Sequence, residues 1–343
     1  MVGTITISIE IELAWGVHDL GEYDHLSEGC QQERVYLRKL LDKCDELDIA
    51  ISFDIVGHLL LDSCDGHECS SYPSQWFTED PATDHVTNPE FYAPDIADEI
   101  LSRPTDHELC THTFSHALSN QMDAALISEE LARSQRLHER VVGEPTVSLV
   151  PPRHHLPPET ALKANSIEIV RQAVQTRGPT PLHRYKELLL GQSFTRKPRL
   201  VDGIVETYCT YYPSLTAPAL PAGQRETHAL FKWQPLRLRQ RLHERRLKAT
   251  VESVGADDSY LHLWCHLYDL SNEHQWRPLA AFLEALAKYR DDGSVSVETM
   301  EQLNAHVRKE AVDRRHALLE VDGASEPDDA PEADDVLKEV VNT

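Results

Sequence analysis

His112 and His116, four residues apart in Thr111-His112-Thr113-Phe114-Ser115-His116, directly follow the strand-like run Glu108-Leu109-Cys110. On a helical turn residues i and i+4 share a face, so one divalent metal could reach both imidazoles. With nineteen histidines in 343 residues, one close pair arises by chance. The pair gains meaning from groups placed where other strand-like runs end: Glu10 and Glu12, His58, Arg153 and His154, and His266. One carboxylate with two histidines is a common ligand set for a catalytic divalent metal that keeps positions open for water and substrate. A second carboxylate beside the metal could take a proton from water, a histidine from another strand could protonate a leaving group, and an arginine could hold the base. Each group also has a structural reading. The two glutamates could be the solvated face of an edge strand, His266 after Trp264 a satisfied core histidine, and Arg153 an ordinary surface residue. Four such sites on four separate strand ends favour catalysis.

The elements that must position these groups can be read from periodicity. Thr4-Ile5-Thr6-Ile7-Ser8-Ile9-Glu10-Ile11-Glu12-Leu13 alternates β-branched and polar residues, which predicts a strand with Glu10 and Glu12 on the face opposite Ile9 and Ile11. Further strands are expected at 49–55, 147–150, 167–170, 201–208, 260–266 and 294–297. Helices are expected at 32–46, 93–101, 127–141, 158–164, 236–250, 279–290 and 299–319. The polar, turn-rich stretch 62–92 predicts a long loop over one end of the fold. Strand and helix alternate throughout, so the expected class is α/β, with parallel strands and helical crossovers. A closed or nearly closed barrel fits at least as well as an open sheet, and the absence of a G-x-G-x-x-G motif or a P-loop weighs against a nucleotide-binding doubly wound fold. In a parallel barrel, functional side chains gather at the carboxyl ends of the strands.

A net charge of −24 argues against nonspecific binding to nucleic acid or an anionic membrane. With 57 acids against only 10 lysines and 23 arginines, the surface suits a chain that must stay hydrated in concentrated salt. No apolar run approaches the ~18–20 residues that span a bilayer, and nothing resembles a cleaved leader, so a cytoplasmic protein is expected. The seven cysteines include no C-x-x-C, which argues against a disulfide framework. Cys64 and Cys69 flank Asp65-Gly66-His67-Glu68, which is either a set of metal donors or a turn with two reduced thiols; no second donor cluster partners it in the sequence. The segment 320–343 holds nine acids and one lysine and is expected to be a disordered tail after a single domain spanning 1–319.

From about Thr4 to Leu303 the chain resembles the polysaccharide deacetylases with a NodB homology domain, of the carbohydrate esterase 4-like intracellular type. Ser8-Ile9-Glu10-Ile11-Glu12 resembles the family's first acidic motif, and His112-Thr113-Phe114-Ser115-His116 resembles its metal motif. Val150-Pro151-Pro152-Arg153 resembles the arginine motif, and Leu261-His262-Leu263-Trp264-Cys265-His266 the late histidine motif. Phe53-Asp54-Ile55-Val56-Gly57-His58 resembles the second-strand segment of intracellular members. The resemblance implies a distorted (β/α) barrel of about seven parallel strands and a divalent metal held by Glu12, His112 and His116. Zinc would suit that set best, with cobalt, nickel, manganese or iron as alternatives. It further implies Glu10 as base, His266 as acid, Arg153 as the group that orients the base, and Trp264, Leu263 and His58 on the substrate side. The implied reaction is hydrolysis of an N-acetyl group on an amino sugar or glycan intermediate.

Glu10 stands where most members have Asp, and its extra methylene moves the carboxylate by roughly 1.5 Å. Three readings therefore compete: an active cytoplasmic carbohydrate N-deacetylase, a degenerate member that binds a glycan or a partner protein without turnover, and a deacylase of a non-sugar amide on the same barrel.

Overall fold

A computed structural model describes residues 2–67, 71–175 and 195–322. Glu68 and Cys69, and the acidic segment from 323 onward, lie outside the described residues. The first strand, β1 (Gly3–Ile11), is buried along its whole length and lies inside the sheet rather than at its edge. Its outward residues Ile5, Ile7, Ile9 and Ile11 are at most 2% exposed and sit in one core cluster with Leu37, Leu40 and Leu41 of α1 (Gln31–Leu47). Leu247 and Val251 of α5 (Leu236–Asp257), and Phe282 and Leu286 of α7 (Glu273–Asp291), complete that layer. The alternate residues Thr6, Ser8 and Glu10 are equally buried but polar. Period-two alternation therefore sends the apolar residues to the helices and the polar ones to the inside of the curl.

The remaining strands are β2 (Ser52–Ile55), β3 (Glu108–Thr111), β4 (Ser148–Leu149), β5 (Ile169–Val174), β6 (Arg199–Val201), β7 (Ile204–Thr210), β8 (Tyr260–His266) and β9 (Val295–Val297). Between them lie α2 (Pro94–Leu101), α3 (Ala124–Val142), α4 (Glu159–Ala164), α6 (Leu267–Leu270) and finally α8 (Met300–Asp322). Seven parallel strands run in the order β8-β1-β2-β3-β4-β5-β7. The sheet curls until its ends meet through side chains: Thr207 Oγ1 of β7 lies 2.6 Å from the Tyr260 hydroxyl and 3.0 Å from His262 Nδ1 of β8. The chain is thus a single α/β domain with a curled, barrel-like parallel sheet.

Two strands stand apart from the seven. β9 pairs with the first residues of β1, and β6 is antiparallel to β7. The expected strand at 201–208 is in fact a hairpin whose turn, Asp202-Gly203, has positive φ at both residues (49° and 83°). An Asp-Gly pair is what a two-residue hairpin turn of that hand requires. Likewise, the strand expected to stop at Val170 runs on to Val174, which brings Arg171 inside the sheet.

The two ends of the curl differ. At the amino end, α8 starts against β2 and β3: Ser52 Oγ accepts from Met300 N (2.9 Å) and Glu108 Oε2 accepts from Glu301 N (3.1 Å). A hydroxyl and a carboxylate satisfy the first free N–H groups of that helix. Met300 and Leu303 then plug the interior with Cys110, Val150, Ile169 and Val205. That leaves the carboxyl end for chemistry. The long loop predicted there is present, with no helix or strand between Leu61 and Ala93 among the described residues beyond one bridge, Ser63 to Asp84. No helix among the described residues is long and apolar enough to cross a membrane.

Candidate metal centre and active site

Glu12 follows directly on β1, where the chain turns into a short 3-10 helix, Leu13–Val17. Gly16 of that turn lies under the Glu12 carboxylate, and a Cβ there would come within 2.3 Å of Glu12 Cδ and Oε1. The missing side chain is what lets the carboxylate settle. His112 and His116 reach it from the end of β3, though not on a helix as the spacing suggests. Thr113 and His116 adopt left-handed backbone (φ 61° and 59°), a conformation that costs on the order of 1–2 kcal/mol for such residues. Neighbours hold the tight loop in place. Thr113 Oγ1 accepts from Ala117 N (2.8 Å), and buried Glu130 of α3 accepts from both Ser115 N (2.8 Å) and Ser115 Oγ (2.9 Å). Gly57 N and His58 N donate to Thr113 O and Phe114 O, each at 2.8 Å, pinning the loop to the end of β2.

The result is three buried donors around one point. Glu12 Oε2 lies 3.1 Å from His116 Nε2 and 3.5 Å from His112 Nε2. On a tetrahedral ion with bonds of about 2.0–2.1 Å, such donor pairs would be about 3.3 Å apart. His112 Nδ1 donates to Val150 O at 2.8 Å, which leaves Nε2 as a lone pair, and that atom is buried without a hydrogen-bond partner. A backbone carbonyl behind an imidazole is the usual support of a ligating histidine. The three residues fit a divalent cation.

Glu10 and His266 stand beside this set. They occupy paired positions on β1 and β8, with His266 Nε2 3.1 Å from Glu10 Oε2 and 3.6 Å from Glu12 Oε1. His266 Nδ1 lies 2.9 Å from Asp269 Oδ2, and the Tyr268 ring stacks on the imidazole at 4.6 Å while its hydroxyl donates to Glu12 Oε1 (2.9 Å). Burial opposes charge on Glu10, but the Arg171 guanidinium and the His266 imidazole outweigh it and hold the carboxyl below its ordinary range. Burial also opposes charge on His266, and there Glu10 and Glu12 prevail and raise it well above the ordinary histidine value. The pair is therefore poised as carboxylate and imidazolium, the starting states of a base and an acid.

The arginine against Glu10 is Arg171, not Arg153. Arg171 is fully buried on β5, reaches Glu10 Oε1 with Nη2, donates from Nη1 to Ser8 Oγ at 2.8 Å, and stacks over Trp264 at 4.6 Å. Arg153 instead pairs with Asp19 (Nη1 to Oδ2, 2.8 Å) and Gly16 O (3.1 Å), tying down the turn under Glu12. His154, beside it, packs on Trp264 at 5.0 Å. Buried Asp54 lies 3.8 Å from Arg171 with neither oxygen hydrogen-bonded; burial, eased by Arg171 and aggravated by Glu10, pushes it up to about 7. The two arginines predict a sharp contrast. Arg171→Met strands two buried carboxyls and is expected to cost about 3–5 kcal/mol. Arg153→Met removes a partly exposed pair and is expected to cost about 0–1 kcal/mol. Urea unfolding of both variants checks this, and equal losses would refute it.

Two further expectations fail on geometry. Leu263 cannot line a cavity with Trp264, because adjacent strand residues point to opposite faces. His262, Trp264 and His266 face inward, while Leu263 is packed in the outer core between sheet and helices. His58 is wholly buried beside His67, Cys64 and Asp80 and belongs to that separate donor group. Arg171, Tyr268, Asp269 and Ser8 were not singled out from the sequence. Only Arg171 carried a local signal, as a cation directly following the apolar run Ile169-Val170.

The sequence of residues 38–171, which holds both metal-motif histidines, matches the family model described as polysaccharide deacetylase. No curated protein matches the sequence. A Mycobacterium smegmatis protein classed as a polysaccharide deacetylase is similar at TM-score 0.57 and 14% identity, over 90% of this chain and 91% of its own. A second, from Pseudomonas aeruginosa PAO1, gives 0.55 and 10%, over 90% and 91%. The allantoinase Puue gives 0.54 and 12%, over 88% and 89%. At these identities the likeness is one of fold.

Proposed function

We propose that this chain, whose residues 38–171 match the polysaccharide deacetylase family model, is a divalent-metal-dependent N-deacetylase acting on an amino sugar or glycan intermediate. The observation that supports this most is the buried Glu12, His112 and His116 set with the Glu10–His266 pair directly against it. A cytoplasmic setting belongs to the same proposal.

Bound by Glu12, His112 and His116, a divalent cation would supply Lewis acidity towards an amide carbonyl and towards water. The chain's own residues do the rest. Glu10 takes a proton from the attacking water as its oxygen joins the acyl carbon. His266 passes its Nε2 proton to the departing nitrogen as the C–N bond breaks, leaving acetate and a free amine. Asp269 holds His266 in the tautomer that presents Nε2, and Arg171 holds Glu10 in place. Trp264, His154 and the part-exposed ring of Tyr211, which packs on His154 at 5.2 Å, form an aromatic wall running outward. A sugar ring can stack its apolar face on such a wall.

Acetate release from N-acetylated nucleotide sugars and oligosaccharides, with and without a chelator, tests the proposal. Chelator-sensitive release is expected from a sugar substrate. Chelator-sensitive hydrolysis confined to allantoin and other non-sugar amides would move the substrate class, and glycan binding without release would mark a non-catalytic member.

A further inference from the structure

A second donor cluster lies apart from the site just described and shares no residue with it. His58 follows β2, and Cys64, His67 and Asp80 come from the long loop after it. His67 Nε2 lies 2.9 Å from His58 Nε2, 3.4 Å from Cys64 Sγ and 3.4 Å from Asp80 Oδ2, and His58 Nε2 lies 3.6 Å from Asp80 Oδ2. All four donor atoms fall within 4.8 Å of one another. A tetrahedral zinc with two imidazoles, a carboxylate and a thiolate would set donor pairs about 3.3–3.6 Å apart.

The neighbours suit a cation too. The His58, His67 and Asp80 side chains are 0%, 7% and 2% exposed, so water does not compensate them. Asp80 Oδ2 points into the cluster and is buried without a hydrogen bond, while Oδ1 is oriented by the Tyr92 hydroxyl (2.6 Å) and Ala82 N (3.1 Å). Burial raises the Cys64 thiol above its ordinary value, and the Gly66 N–H that donates to Sγ at 3.3 Å only partly offsets this, so in this cluster a cation is what would draw off the thiol proton. One proton between the two imidazoles would satisfy that contact alone and leave the buried Asp80 oxygen without a hydrogen bond; a divalent cation satisfies all four donors.

We infer that His58, Cys64, His67 and Asp80 form a structural zinc site that fixes the loop between β2 and α2. Four protein ligands leave no open position, the mark of a structural rather than a catalytic zinc. Binding releases the Cys64 thiol proton to solvent. The loop needs such a tie, because its described residues between Leu61 and Ala93 hold almost no regular structure. What it positions is specific. Trp76 Nε1 donates to Ser115 Oγ at 2.9 Å and the Tyr72 hydroxyl donates to Glu130 Oε1 at 2.5 Å, both holding the loop that carries His112 and His116.

Cobalt substitution of the full-length protein tests this independently of catalysis. The Glu12, His112 and His116 set contains no sulfur, so of the two sites only the second can give a thiolate-to-cobalt charge-transfer band. Wild type is expected to bind two Co2+ and show the band. Cys64→Ser should lose the band and one equivalent, whereas His112→Ala should lose one equivalent and keep the band. Cobalt bound to wild type without a thiolate band, or a band that survives Cys64→Ser, overturns the assignment. The wild-type spectrum stands even if a variant fails to fold.

Discussion

Replacing His112 with Ala is expected to remove one equivalent of metal and lower kcat by at least about a thousandfold. The Lewis acidity of a bound cation is worth several kcal/mol at the transition state, and each 1.36 kcal/mol is a factor of ten. Among the described residues His112 Nε2 is one of the three donors of the Glu12, His112 and His116 set. Because His112 Nδ1 also donates to Val150 O, the alanine variant loses a structural bond as well as a ligand. His112→Asn separates the two effects, since its amide can still donate to the carbonyl but offers no imidazole nitrogen. Both variants should be inactive, with Asn unfolding closer to wild type. Full turnover by a folded His112→Asn protein at unchanged metal content would refute the ligand assignment.

Glu10→Gln should lower kcat by about 10²–10⁴-fold, the range for losing a general base, with metal content unchanged. The amide matches the carboxylate in shape, so Arg171 and His266 keep their packing while the proton acceptor is gone. Glu10→Asp asks a different question. It draws the carboxylate back by roughly 1.5 Å, away from both partners, and misplacement on the order of 1 Å costs about a hundredfold. A loss of that size in the Asp variant identifies glutamate as the working base here. Acetate release by Glu10→Asp from a wild type that releases none would instead identify a degenerate site.

The legible part of the fold was the part encoded over short distances. Alternation in β1 separated Ile5, Ile7, Ile9 and Ile11 from Ser8 and Glu10, and the structure sends those two sets to opposite faces. The same rule, applied to 263 and 264, already forbids one wall built from both residues. The candidate site was legible as a set of strand ends, because a parallel sheet gathers its carboxyl ends on one side whatever the order of the strands. The arginine was missed because the strand was ended at Val170, four residues too early and just short of Arg171. Whether a cation in such a run becomes a buried partner of Glu10 depends on β5 facing β1 across the curl.

From the sequence alone came the class of fold, the inward polar face, and the residue types from which a hydrolytic centre could be made. The tertiary structure decided which of them meet. It placed Arg171 rather than Arg153 on Glu10, built the histidine pair from left-handed turns rather than a helix, and gave Cys64 and His67 the partners that were missing from their own segment. The physical reason is range. Side-chain direction follows from backbone period within a few residues, whereas a contact such as Arg171 with Glu10, 161 positions apart, exists only after loop closure and core packing have been satisfied together.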